Sequence, residues 1–160
     1  PSRPRALLES SNIFSTLRQE EKDTFSQNMT LKTFRAGEMI LAGGEVSDHL
    51  FIIESGVVSV TLSRAGTKFE AARMGPGEVI GEAGILSDEA VPADYTAKTF
   101  CSLYCIEKEY LKPCLDARRD ISDAMKSLLD FRLHTAQTLT QEVPKVVEKK
   151  GFLRWLRSRV

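Results

Sequence analysis

The distribution of glycine along the chain is the feature that most constrains its fold. Of the ten glycines, nine lie between Gly37 and Gly84, and the tenth is Gly151. Short apolar or β-branched runs stand between these glycines, among them LFIIE at 50–54 and VVSVTL at 57–62. Short strands separated by turn residues at such intervals are typical of an antiparallel barrel or sandwich. The pattern predicts β-structure over much of the chain's middle.

Helical patterns flank this β-rich part. Residues 5–27 are predicted to be helical, with Thr16 and Gln19 as a capping box. Beyond the last strand a helix is predicted over residues 108–117, where glycine is absent. A longer helix, capped by Asp120, is predicted to follow it.

The longer helix is recognised by an apolar stripe at helical spacing, and Pro144 is expected to end or bend it. The stripe consists of Ile121, Met125, Leu128, Leu129, Leu133 and Ala136. The predicted organisation is an N-terminal helical segment (1–29), a β-domain (30–107), C-terminal helices (108–143) and a basic tail (144–160).

The charge of the whole chain favours no class of partner, because 22 basic residues balance 22 acidic ones. The tail differs, since from residue 145 onward six basic residues accompany one acid, a net charge of +5. Its basic residues are Lys145, Lys149, Lys150, Arg154, Arg157 and Arg159. Such a tail more often solvates a terminus or meets anionic lipid than reads bases, so nucleic acid is not the expected partner.

Residue types that carry catalysis or bind metals form no recognisable constellation. The three cysteines are an odd number, which does not suggest a disulfide framework. Cys101 and Cys105 fall in one predicted strand, where four residues span about 13 Å, beyond the roughly 7 Å limit for a bridge. His49 and His134 are far apart in sequence, and no nucleophile motif is present. We expect free thiols, no enzyme activity, no metal site and no bound cofactor.

The segment GEVIGEAGILSDEAVPADYTA, residues 77–97, begins like a loop that holds an anion. Gly81 permits close approach of the backbone to a ligand. The residues after it can form a short helical turn whose free N–H groups point at an anion. Glu82 also suits the first turn of a helix that binds nothing. The segment lacks a cation, because no Lys or Arg lies between Arg73 and Lys98.

Together these patterns resemble the cyclic nucleotide-binding domain family. The stretch AGEMILAGGEVSDHLFIIESGVVSV resembles the β-roll of that family, and GPGEVIGEAGIL resembles the beginning of its phosphate-binding cassette. The matching turn glycines, Asp and core aromatic are Gly37, Gly44, Gly56, Asp48 and Phe51. The resemblance covers roughly residues 6–140. It implies an α+β fold in which a β-roll, a jelly-roll-like antiparallel barrel, is flanked by an N-terminal helical segment and C-terminal helices.

The resemblance also implies a nucleotide site within residues 77–97, with cAMP or cGMP as the candidate ligand. In the family, the residue that matches Glu82 accepts a hydrogen bond from the ribose 2′-hydroxyl. Backbone amides around the matches of Ala83 and Gly84 hold the cyclic phosphate, and Gly81 precedes them. Because Glu82 is expected to face an empty pocket, Glu82→Ala is expected to change stability little.

One contact of the family's site is missing from the sequence. Ligand-binding members follow the short helix with Pro-Arg, one residue and Ala, which align without a gap to Ala90, Val91, Pro92 and Ala93. The arginine therefore matches Val91, which cannot make the bidentate, charge-assisted contact with a phosphate. We expect cyclic nucleotides to bind weakly or not at all. The candidate ligand-binding residues are Gly81, Glu82, Ala83, Gly84, Val91, Pro92 and Ala93.

Arg132 interrupts the apolar stripe of the long C-terminal helix, which in this family can act as a lid over the base. It is therefore a candidate lid residue or substitute cation. The favoured interpretation is structural: the stem of Arg132 lies on the core and its charged head reaches water.

The sequence is also similar to one subgroup of the family. LFIIESGVVSV, ARMGPGEVIGEAGIL and GFLRWLRSRV resemble the C-terminal domain of bacterial mechanosensitive channels of the small-conductance type. This resemblance implies a regulatory domain on the cytoplasmic side of the bacterial inner membrane. Its candidate partners are an upstream channel module of the same polypeptide, a second copy of the chain, and anionic lipid at the tail.

Two alternatives remain open at this stage. The first alternative is a module of the same fold that binds no nucleotide and serves in assembly. The second is the sensor fragment of a catabolite-activator-type transcription regulator. The second alternative is disfavoured because the 16 residues after Pro144 are too few for a helix-turn-helix. A kinase regulatory subunit would usually show a second copy of the domain.

Overall fold

The computed structural model describes residues 2–141, which form five helices and eight strands. The helices are α1 (Arg3–Ser10), α2 (Gln19–Gln27), α3 (Glu82–Ser87), α4 (Lys108–Ala117) and α5 (Arg119–Thr140). The strands are β1 (Thr30–Phe34), β2 (Met39–Leu41), β3 (His49–Ser55), β4 (Val58–Arg64), β5 (Thr67–Met74), β6 (Val79–Ile80), β7 (Asp94–Ala97) and β8 (Cys101–Glu107).

The strands of this part of the chain form two four-stranded antiparallel sheets. The first has the order β1-β8-β3-β6 and the second the order β2-β7-β4-β5. The glycines that punctuate the strands adopt positive φ in the turns, as at Gly37, Gly44 and Gly56. Two facing sheets flanked by helices confirm the predicted α+β roll, although the strands do not close into a barrel.

Strand β3 is buried on both faces, which explains its continuous apolar sequence. Leu50 and Ile52 pack into a cluster with the helices, while Phe51 and Ile53 pack into a second cluster between the sheets. Strand β8 alternates between the two clusters in the same way. Because successive side chains of a strand point to opposite faces, these two strands connect both halves of the core.

The prediction that residues 5–27 are helical holds for α1 and α2 but not for residues 11–18, which separate the two helices. The Ser11 hydroxyl accepts hydrogen bonds from the N–H groups of Ile13 and Phe14, at 3.2 and 3.3 Å. A serine side chain that satisfies backbone donors in this way offers the chain an alternative to continuing the helix.

The predicted capping box is also displaced. The carboxylate of Glu21 accepts a hydrogen bond from the N–H of Arg18 at 2.8 Å, so the box lies two residues after Thr16 and Gln19. The rings of Phe14 and Phe25 pack together across this break, with 4.9 Å between their centroids.

The C-terminal helices begin where the sequence indicates. Helix α4 matches the predicted range 108–117, but α5 starts at Arg119, so Asp120 lies in its first turn and does not cap it. The reason is that Arg118 holds the Asp120 carboxylate, with N–O distances of 3.1 and 3.0 Å. An acid in the first helical turn is nevertheless well placed for the helix dipole.

Some of the predicted features fall within residues 2–141, and others fall outside them. Cys101 and Cys105 lie in β8 as predicted, and all three cysteines are free. No helix among the described residues combines the length and the apolar composition that crossing a membrane requires. The basic tail at 144–160, including Pro144 and GFLRWLRSRV, lies outside the described residues.

Candidate functional site

Helix α3 is packed tightly against the turn that precedes β3. Gly81 adopts φ of +99°, and a Cβ there would lie 2.6 Å from the His49 carbonyl oxygen. At Gly84 a Cβ would lie 2.1 Å from the Ser47 carbonyl oxygen. Ala83, between them in sequence, is 1% exposed. The close approach that the two glycines permit is therefore made to the protein's own backbone, which fixes the position of the acid at the start of α3.

Glu82 is buried and forms an ion pair with α5. Its Oε1 accepts a hydrogen bond from Nη1 of Arg132 at 2.8 Å, and the two side chains are 2% and 14% exposed. The same Nη1 donates to the Val79 carbonyl oxygen at 2.7 Å. No described residue donates a hydrogen bond to the other carboxylate oxygen, Oε2, which is buried.

This ion pair corrects two expectations. The head of Arg132 is not free in water: it binds Glu82, 50 positions earlier in the sequence, and its side chain is only 14% exposed. Glu82 accordingly does not face an empty pocket, so Glu82→Ala is no longer expected to be neutral. Both expectations failed because the helical stripe shows which face of α5 is buried but does not show which side chain lies opposite it.

The residues of the predicted charge clamp lie in two environments. Val91 is 3% exposed and packs into the apolar cluster between the sheets. Its N–H donates to the Glu45 carbonyl at 2.8 Å, and its own carbonyl accepts from the Gly44 N–H at 3.0 Å. Pro92 and Ala93 line a cavity beneath α5. Val91, which the sequence resemblance aligns with an arginine of the family, is therefore a buried core residue in this chain.

The cavity beneath α5 has a volume of about 210 Å³. Its walls come from the sheet of β4, β5 and β7 and from one face of α5. Most lining side chains are apolar; the charged and hydroxyl-bearing ones are Arg73, Glu78, Tyr95, Arg132 and Thr135. Phe131 also lines the cavity although it is 69% exposed.

The charged groups around the cavity are largely neutralised by one another. The Arg73 Nε donates to the Glu70 carboxylate at 2.7 Å, as Arg132 does to Glu82. Burial, together with the nearby charge of Glu82, raises the pKa of Tyr95 to about 12, so its phenol stays protonated at neutral pH. Tyr95 therefore adds a donor and acceptor to the wall without adding charge.

A lysine connects α3 to the first C-terminal helix. The Lys108 ammonium donates to the Gly84 carbonyl oxygen at 3.0 Å and also contacts the Asp88 carboxylate. The hydrogen bond and charge of Lys108 lower the pKa of Asp88. One of the two acids that follow α3 is thus already paired within the protein.

Comparison with known proteins places this geometry in a family. The sequence profile of the cyclic nucleotide-binding domain matches residues 31–118, more than half of the chain. The chain belongs to the cyclic nucleotide-binding domain family. The β-roll, α3 and the segment up to the start of α5 fall within or adjoin the matched range.

The chain is similar to a kinase regulatory subunit and to a kinase. It is 26% identical over 130 residues to the cAMP-dependent protein kinase type II regulatory subunit of Drosophila melanogaster, covering 77% of this chain and 34% of that protein. It is 28% identical over 107 residues to the cGMP-dependent protein kinase of Toxoplasma gondii, covering 67% and 10%. The chain therefore spans about a third or less of these two relatives.

A solved structure with a similar fold is the regulatory subunit of a cAMP-independent protein kinase A from Trypanosoma cruzi, bound to guanosine. The identity is 25%, the TM-score is 0.70, and the alignment covers 80% of this chain and 47% of that one. The catabolite activator protein of Thermus thermophilus aligns with a TM-score of 0.68 at 24% identity, over 80% and 61% of the two chains, which is a likeness of fold.

Sequence reasoning identified the cassette but missed most of the cavity. Tyr95 and Phe131 were not singled out, although both line it. Tyr95 alternates with polar neighbours in β7, which marks it as facing inward but not as a cavity wall. An aromatic residue beside the buried stripe of α5 was a weak signal for Phe131.

Proposed function

We propose that this domain is a ligand-responsive regulator in which α5 is the output element and cyclic AMP binds weakly or not at all. The observation that carries the proposal is the environment of Val91. At the aligned position of the family's phosphate-binding arginine, the side chain is apolar and packs into the core. The loss of a charge-assisted contact is worth roughly 1.5–3 kcal/mol, which is about one to two decades of affinity.

The ion pair between Glu82 and Arg132 supports α5 as the output. The carboxylate that would accept a hydrogen bond from a ribose hydroxyl already accepts one from Arg132 of α5. A ligand that takes Oε1 of Glu82 therefore competes with Arg132, and it shifts the position of α5 only through its different affinity for the two arrangements. A ligand that does not compete for Glu82 gives no such coupling.

The comparisons support a domain of this family that does not depend on cAMP. The Trypanosoma cruzi relative is the regulatory subunit of a cAMP-independent protein kinase A, and its solved structure is bound to guanosine. A fold shared with a cAMP-independent protein supports the interpretation that this chain's cassette, which has no arginine, does not depend on cAMP.

Titration calorimetry with cAMP and cGMP tests the proposal directly. We expect dissociation constants well above the micromolar range for both, measured on protein whose thermal unfolding is cooperative. Submicromolar binding of either nucleotide would contradict the proposal and would indicate that another cation, Arg73 or Arg132, reaches the phosphate.

We further propose that the domain belongs to a bacterial small-conductance-type mechanosensitive channel and lies on the cytoplasmic side of the inner membrane. The support is the resemblance of three sequence segments, of which GFLRWLRSRV lies outside the described residues. A homo-oligomer and anionic lipid at the tail belong to the same proposal, and we expect no enzyme activity. The names of the relatives favour kinase or transcription-regulator contexts instead.

The coding sequence upstream of Pro1 separates these contexts. A channel requires upstream apolar stretches of about 20 residues, and the full gene product should then sediment with membranes. An upstream or downstream kinase or DNA-binding module without such stretches would contradict the channel context.

A further inference from the structure

We infer that the cavity beneath α5 binds a small uncharged molecule, a single ring that carries one hydrogen-bond acceptor such as a carbonyl oxygen. This inference rests on the proposed function, because it names the class of ligand to which the proposed regulator responds. Three features of the cavity carry it: hydroxyl groups without a partner, charged groups that are already paired, and a small, mainly apolar volume.

The first hydroxyl without a partner belongs to a buried tyrosine of the cavity wall. Tyr95 is 3% exposed and lines the cavity, and its hydroxyl makes no hydrogen bond with any residue in the range 2–141. A buried tyrosine usually finds a hydrogen-bond partner for its O–H group, because an unpaired polar group is costly to bury. Since the phenol stays protonated at neutral pH, it can donate to an acceptor atom inside the cavity.

The second hydroxyl lies on α5. Thr135 lines the cavity and is half-buried, and its hydroxyl also has no hydrogen-bond partner within the described part of the chain. Thr140 of the same helix instead donates to the Ala136 carbonyl at 2.7 Å, a common way for a helical threonine to satisfy its hydroxyl. Because Tyr95 belongs to β7, a ligand that accepts from these hydroxyls is held between the roll and α5. Such a ligand favours the packed position of α5 without competing for Glu82.

The charged groups of the wall are already paired, which disfavours an ionic ligand. The guanidinium of Arg73 binds the Glu70 carboxylate at 2.7 Å. That of Arg132 binds the Glu82 carboxylate at 2.8 Å. The carboxylate of Glu78 accepts a hydrogen bond from a backbone N–H at 2.8 Å. An ion that enters the cavity must displace one of these partners or lose its water without a counter-charge, whereas an uncharged ligand does neither.

The volume of the cavity suits one ring with a short substituent. A cavity of about 150 Å³ lined by apolar side chains takes a benzene molecule, whereas sites for drug-sized ligands occupy roughly 300–1,000 Å³. The cavity beneath α5, at about 210 Å³, lies between these values. Its apolar contact area comes from side chains such as Leu62, Met74 and Leu128, with the ring of Phe131 in the wall contributed by α5. The ligand is therefore mainly apolar, with room for one small polar group.

The experiment compares three probes of similar size that differ in their polar group. Acetophenone carries a neutral carbonyl, ethylbenzene carries no polar group, and benzoate is an anion at neutral pH. NMR titration of the 160-residue chain measures each dissociation constant and shows which residues the probe contacts. We expect acetophenone to saturate the protein, to shift signals of the cavity wall, and to bind about tenfold or more tightly than benzoate. No binding of acetophenone, equally tight binding of benzoate, or shifts centred elsewhere would overturn the inference.

Two variants test the tyrosine hydroxyl as the donor. Tyr95→Phe removes only this oxygen, and it should fold as the parent does because the oxygen has no partner in the described chain. It should lower the affinity for acetophenone, relative to ethylbenzene, about three- to tenfold, which corresponds to one hydrogen bond. Tyr104→Phe removes the same oxygen from a buried tyrosine in the cluster with the helices and should leave this ratio unchanged. An unchanged ratio in Tyr95→Phe, or an equal change in both variants, would overturn the inference.

A parallel titration with cAMP separates this inference from the proposed function. If acetophenone binds as expected and cAMP does not bind at micromolar concentration, both are supported. If cAMP binds at submicromolar concentration while the binding of acetophenone still depends on Tyr95, the inference stands and the proposed function is wrong. If neither binds, the inference is wrong while weak or absent cAMP binding stands. Tight binding of cAMP alone makes both wrong.

Discussion

At the scale of single residues, the site is defined by one pairing and one replacement. Arg132 binds the carboxylate of Glu82, and Val91 is an apolar core residue at the position where the sequence resemblance predicts a cation. For each of these residues we predict that a substitution changes stability or ligand affinity, whereas the same kind of change at a surface residue has little effect.

Glu82→Ala should destabilise the fold. The change leaves the Arg132 guanidinium, 14% exposed, with the Val79 carbonyl as its recorded partner. Breaking a buried pair costs about 3–5 kcal/mol, and we expect the lower end because Arg132 retains some contact with water. Chemical denaturation measures the loss. Glu89→Ala, at an exposed position, should stay within about 0.5 kcal/mol of the parent. Equal stability of the two variants would show that the ion pair contributes nothing.

Val91→Arg should raise the affinity for cAMP by about tenfold or more, because it restores the planar, bidentate cation that lysine would not match. The gain should shrink as salt rises. Without ligand the variant should melt at a lower temperature, since the new charge enters an apolar cluster.

The matched control for this restoration is Val91→Met, which adds length without charge. Calorimetry of parent, Arg and Met variants should show the gain with Arg alone. A folded Arg variant that binds no better than the Met variant would mean that the cassette has lost more than its cation, and would favour the structural-module alternative.

At the scale of elements, a cross-strand network ties together the sheet that faces α5. The carboxylate of Glu70 in β5 accepts hydrogen bonds from Ser59 in β4, from Arg73 and from Lys98, at 2.6, 2.7 and 3.1 Å. These contacts, that of Ser59 first, lower the pKa of Glu70 from 4.5 to about 2. The ionised form is therefore the one that the folded sheet favours.

This network predicts a pH dependence with a definite sign. Because the pKa of Glu70 is lower in the folded state, its contribution is fully present above about pH 4.5 and is lost as the pH falls toward 2. Glu70→Gln should lower the melting temperature at pH 7, and the difference from the parent should disappear by about pH 2. Thermal scans between pH 2 and 7 measure it. A difference that is constant across this range would show that Glu70 does not act through its charge.

At the scale of the whole molecule, Arg118 connects the N-terminal helices to the start of the last helix. It stands between α4 and α5, and its guanidinium donates to Glu21 at 2.6 Å, to the Thr16 carbonyl at 3.1 Å and to Asp120. Its contacts thus join the N-terminal helices to the start of the proposed output helix. A displacement of α5 is expected to be felt by the N-terminal helices through this side chain.

Arg118→Met should loosen the N-terminal helices and the first turns of α5 together. Hydrogen exchange by mass spectrometry should show faster exchange in α2 and around Ile121, with the β-roll unchanged. Arg119→Met, at the exposed neighbouring position, is the control and should change neither region. Faster exchange confined to α5 would contradict a connection between the N-terminal helices and α5.

The sequence by itself determined the strand pattern, the turn glycines, the range of α4 and the absence of a cation after α3. These features depend on local backbone preference and on the period of apolar residues, both of which can be read within a few positions. The break between α1 and α2 was missed because Ser11 competes with the helix through a single side-chain oxygen.

Only the tertiary structure decided which groups meet in the site. Glu82 and Arg132 are 50 positions apart, and neither local sequence contains a sign of the other. The cavity likewise forms between the face of α5 and a sheet whose strands are distant in the chain. A helical stripe fixes which face is buried, but the packing angle and register of α5 on the roll fix the partner of each side chain, and these depend on the whole core at once.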